Sequence, residues 1–97
     1  MIIPSVKLTV NFIKEGGQVV AYSPALDIST VGKSEAHAKK RFEELVRMFL
    51  RDISEKKVID EVLTELGWTK TKQRDGNKSQ WVPPAIRSVD LQVPIRA

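Results

Sequence analysis

A chain of 97 residues, 41% hydrophobic and 29% charged, can bury a modest core and is too apolar to remain disordered. It contains no cysteine, which excludes disulfides, thiolate metal sites and cysteine nucleophiles. The net charge is +4, and all of the excess lies after Thr69: Lys70, Lys72, Arg74, Lys78, Arg87 and Arg96 stand against Asp75 and Asp90. Such a patch attracts a phosphate backbone or an acidic protein surface, or simply forms a solvated basic hairpin.

No apolar run approaches the roughly 20 residues of a membrane span. The opening MIIPSVK lacks the basic-then-apolar order of a signal peptide. No membrane association and a cytoplasmic location are therefore expected, with the chain read as one domain over 1–97.

Val6, Leu8, Val10 and Phe12 alternate with Lys7, Thr9 and Asn11, the period of a half-buried strand. Gly16-Gly17 then predicts a hairpin into a second strand over Gln18–Ser23. Pro24 ends that strand, and a short third strand is expected over Leu26–Val31, closed by Gly32.

Ser34 is placed to cap a helix. The reciprocal capping box wants Glu or Gln three residues on; His37 stands there, so the box is read as incomplete. Ala38, Phe42, Leu45, Val46, Phe49 and Ile53 follow at helical spacing, backed by Lys39, Lys40, Glu43, Arg47 and Arg51. This predicts a long amphipathic helix over residues 34–55. A second helix is expected over Val58–Leu66, stopped by Gly67.

Trp68–Val82 is read as a polar, basic hairpin around Asp75-Gly76-Asn77. Trp68 and Trp81 amid Lys70, Lys72, Arg74 and Lys78 have the composition of a base-stacking platform. Aromatic pairing across the hairpin is the structural alternative. After Pro83-Pro84, Val89, Leu91, Val93 and Ile95 alternate with Asp90 and Gln92, which predicts a last strand. Residues 88–95, SVDLQVPI, echo residues 5–12, SVKLTVNF. The expected fold is α+β in the order β-β-β-α-α-β with the hairpin before the last strand. Both terminal strands would share one sheet, roofed by the long helix.

The stretch GGQVVAYSPALDISTVGKSEAHA at 16–38 resembles the HicB-like antitoxin family of toxin–antitoxin systems. The matching positions are Gly16, Gly17, Ala21, Pro24, Leu26, Gly32, Ser34 and Ala38. The resemblance implies a reduced RNase H-like sheet and helix, assembly into homo-oligomers, and neutralisation of a small toxin RNase by protein contact. The chain differs from many members in showing no C-terminal helix-turn-helix or ribbon-helix-helix after Gly67.

Catalytic chemistry finds little footing. His37 is the only histidine and has no partner nearby in sequence for base or ligand work. Asp27 and Glu35 are a carboxylate pair that could suit Mg²⁺, or solvated loop charges. No enzyme activity and no cofactor are expected. The two functions left open are an antitoxin-type binding protein and a nucleic-acid-binding module built on the basic hairpin.

Overall fold

The computed structural model describes residues 7–72 and 79–96. Three antiparallel strands, β1 (Asn11–Glu15), β2 (Gln18–Ser23) and β3 (Ile28–Gly32), form one sheet in that order. Helix α1 (Glu35–Glu55) and the short α2 (Ile59–Glu65) follow, then a two-stranded sheet of β4 (Thr69–Lys72) and β5 (Ser79–Val82). The architecture is α+β, as expected.

The β1–β2 hairpin turns at Gly16-Gly17, with φ of +56° and +22°, the left-handed backbone that a two-residue hairpin demands. Its register sets Phe12 opposite Ala21, and Ala21 opposite Thr30. Period two then fixes the faces. Val19, Ala21 and Ser23 of β2 are buried on the side covered by α1, which packs on β2 and β3. Ile13 and Val31 face the other way and are exposed. From α1, Ala38, Phe42, Val46 and Ile53 enter the core. Burying a side chain of this kind contributes about 1.5–3 kcal/mol.

Both ends of α1 have local chemical causes. The Ser34 hydroxyl accepts the His37 N–H at 3.1 Å, and His37 Nδ1 accepts the Lys33 N–H at 3.0 Å. The expectation of an incomplete box is thus corrected: His37 supplies the reciprocal bond, reaching one residue further back than a glutamate would. At the other end Lys57 has φ +57°, with its N–H on Ser54 O at 3.1 Å and the Val58 N–H on Ile53 O at 3.0 Å. This is a Schellman termination with lysine where glycine is preferred. Lys57→Gly should therefore raise stability by about 0.5–1 kcal/mol, because relief of the left-handed Cβ outweighs the added chain entropy. Thermal unfolding checks it.

α2 ends in the same way, with Gly67 at φ +92° and the Trp68 N–H on Leu63 O at 2.9 Å. That turn aims β4 back along the molecule.

The expected last strand is corrected. Residues 83–96 carry no secondary structure, and Val89, Leu91, Val93 and Ile95 are 60%, 76%, 70% and 90% exposed. The sheet holds β1–β3 alone, so the two ends of the chain do not share a β layer within one protomer. The cause lies at the exit from the hairpin. Pro84 packs beside Gly67, 3.5 Å from where a Cβ would stand. The following Ala-Ile-Arg-Ser offers only Ser88 among the residues that reverse a chain easily. The first strand also begins later than its alternation suggests. Lys7–Val10 lead into it without ladder partners, and Val6 lies outside the described residues.

Candidate interaction surface

The residues singled out in the basic hairpin separate into different roles. Trp68 is only 5% exposed, and its indole Nε1–H donates to the Ala25 carbonyl at 2.8 Å. It is a core anchor that ties the start of the hairpin to the β2–β3 turn, so its ring face is not free for a base to stack on. Trp81 is half-buried against the core and lies opposite Lys70, not Trp68, in the ladder. Lys70 Nζ sits 5.5 Å from the Trp81 ring centroid and 3.4 Å from Asp60 Oδ2, an exposed ion pair of small energetic weight. Lys72 closes β4 opposite Ser79. Arg74 and Lys78, and the turn at Asp75-Gly76-Asn77, lie outside the described residues.

Asp27, one of the two carboxylates considered for a metal, occupies a left-handed position at φ +54° and accepts the Tyr22 hydroxyl at 3.2 Å. Glu35 stands in the first turn of α1 and is exposed. Among the described residues no cluster of His, Asp or Glu could hold a metal ion, and no helix is long and apolar enough to cross a membrane.

Partial burial of the Tyr22 phenol, and then the hydrogen bond and negative charge of Asp27, raise its pKa above the usual 10.0. The protonated phenol is thus the favoured form in the folded chain. Its contribution is fully present below the unfolded pKa and is lost as pH rises through the higher folded value. Tyr22 is the only tyrosine, so phenolate absorbance reads it alone. Asp27→Asn should bring the midpoint back toward 10.0, and an unchanged midpoint would contradict the contact.

A further candidate surface is apolar. A groove of about 1160 Å3 runs along the free flank of β1, above the roughly 300–1,000 Å3 of small-ligand clefts. Leu8, Val10 and Phe12 form one wall, and Val46 and Leu50 of α1 form the other. Ile59, Leu63, Trp68 and Trp81 close its end, while Glu43, Arg47 and Arg51 stand among its charged lining. It exists because α1 sits over β2 and β3 and leaves β1, the edge strand, uncovered on its outer side.

The sequence held a signal for this groove that single-stripe reasoning passed over. The apolar set on α1 includes Leu50 beside Phe49 and Leu45 beside Val46, too wide for one seam. A helix with so broad an apolar face has more to cover than one sheet face. Compared with known proteins, the chain matches no family model, no curated protein and no solved structure.

Proposed function

We propose that this chain is a non-catalytic binding protein of the HicB antitoxin kind, which assembles with copies of itself and neutralises a small toxin RNase by covering its surface. The finer description of the fold, a reduced RNase H-like sheet under one long helix, belongs to the same reading. Two things support it: the sequence resemblance over 16–38, and the amount of apolar surface offered for contact.

The second carries the self-assembly in this proposal, and the resemblance over 16–38 carries the toxin contact. Val89, Leu91, Val93 and Ile95 are all at least 60% exposed on one segment, and a separate groove is walled by Leu8, Val10 and Leu50. Apolar surface displayed on this scale marks a place of macromolecular contact. The nucleic-acid reading has less support, because Trp68 is buried and Lys70 is occupied by Asp60 and Trp81.

The test is co-expression with any short reading frame adjacent to the gene, followed by an RNA-cleavage assay on the purified components. The reading expects the neighbour to cleave RNA alone and to fall silent with an equimolar amount of this chain. Cleavage that persists at a large excess of this chain would overturn it.

A further inference from the structure

The exposed C-terminal segment and the open groove fit one another in pattern and chemistry. The segment Val89–Ile95 alternates apolar Val89, Leu91, Val93 and Ile95 with Asp90, Gln92 and Pro94. That is the pattern of a strand with one face against a core and one toward water. Stretched out, seven residues span about 23 Å. The groove presents the complementary half. Leu8, Val10 and Phe12 recur with the same period along one wall, half-buried between the exposed Lys7, Thr9 and Asn11. Phe12 lies in β1, and Leu8 and Val10 lead into it; among the described residues β1 is an edge strand with its outer side unpaired. Pro94 confines its own strand to the edge of a sheet, which is the position open beside β1.

The segment does not reach the groove of its own protomer. Pro83 and Pro84 hold the chain extended where it leaves β5, and Pro84 is seated against Gly67. Folding back would need a reversal within Ala85–Ser88, where Gly, Pro, Asn and Asp are absent and Ser88, a weaker turn former, is the one turn residue. The molecule is drawn out accordingly: its radius of gyration is 16.4 Å and its longest extent 57 Å, against a radius of about 13 Å for a compact chain of this length.

We infer that the groove beside β1 is filled by the C-terminal strand of a second copy of this chain, residues 89–95, in a reciprocal strand exchange. Each protomer gives one strand and receives one, so the two-fold contact closes on itself and leaves neither groove empty. Leu91 and Val93 lie centrally against the α1 wall at Val46 and Leu50, and β1 ceases to be an edge. Asp90 and Gln92 face water. This rests on the oligomeric part of the reading above and supplies its mechanism; it makes no use of a toxin.

The test measures mass by light scattering and the dimer dissociation constant by dilution, for the full chain and two variants of it, with circular dichroism as the check on folding. The full chain should run as two copies of 10.9 kDa. Leu91→Asp puts a charge into the groove and should raise the dissociation constant on the order of 100-fold or more. Gln92→Asp, one residue along on the outward face, should leave it within about threefold. A full chain that is monomeric throughout would overturn both the exchange and the oligomeric reading. A dimer that survives Leu91→Asp, or that responds equally to both variants, would overturn the exchange alone.

Discussion

Gly32→Ala is expected to destabilise the chain by about 3 kcal/mol, near the upper end of what overpacking costs. Gly32 is buried at the end of β3, where the first turn of α1 crosses it. A Cβ there would stand 2.7 Å from Ala38 Cα and 2.9 Å from the His37 carbonyl carbon, and nearer still to Ala38 N. These are backbone atoms of a turn pinned by the Ser34 and His37 caps, so no side-chain rotation relieves the clash. The helix must lift from the sheet, and the contact of Ala38 with the core goes with it. In a chain of this size the melting temperature should fall by about 12–24 °C. Gly16→Ala makes the control. Its Cβ meets nothing within 4 Å, so only the left-handed backbone is strained, at about 1–2 kcal/mol. Equal losses at the two positions would mean that α1 is not seated on β3.

Trp68 carries the second large effect. Trp68→Ala removes a side chain that is 5% exposed, and should cost about 3–5 kcal/mol. Trp68→Phe separates the causes. Most of the packing survives, but the 2.8 Å hydrogen bond to the Ala25 carbonyl is lost. Ala25 is 1% exposed, so that acceptor has no ready access to water, and the expected loss is about 1–3 kcal/mol. Denaturant unfolding gives both values as midpoint shifts. A Trp68→Phe chain as stable as the parent would show that the indole N–H is not engaged. A nucleic-acid platform predicts a different pattern, in which either change weakens binding and leaves stability intact.

The elements fixed by local chemistry were legible in the sequence. Gly16-Gly17 could only turn a hairpin, the Gln18–Ser23 strand ends where Pro24 denies a ladder donor, and Ser34 caps α1. The α1 stripe announced Ala38, Phe42, Val46 and Ile53 as core and Phe49 as packed against it, but Leu45, counted in the same stripe, lies outside the core cluster. His37 was legible as a capping position but not as a capping group, since an imidazole nitrogen reaching back to Lys33 is a substitute for the usual carboxylate. Lys57 gave no sign of its left-handed turn, because the Schellman closure of Val58 N–H on Ile53 O is made there without the usual glycine.

The tail carries the alternation of a strand, yet forms no strand in the structure. Alternation reports that Val89, Leu91, Val93 and Ile95 will share a face; it does not report which chain supplies the other half of the contact. The same ambiguity hid the groove. Leu8, Val10 and Phe12 look like one face of a strand whether their neighbour is internal or comes from another molecule. The two tryptophans illustrate the reverse case: equal composition, but one is placed in the core by its bond to Ala25 and the other lies at the rim under Lys70.

The decisive contact is that of Leu91 and Val93 with the β1 flank of a different molecule. Isotope-filtered NOE measurement on a one-to-one mixture of labelled and unlabelled chain, unfolded together and refolded, reads this directly. Contacts from the Leu91 and Val93 methyls of one copy to Val10, Phe12 and Leu50 of the other are the predicted result. Methyl contacts confined within single copies, or no contacts from the tail at all, would contradict it.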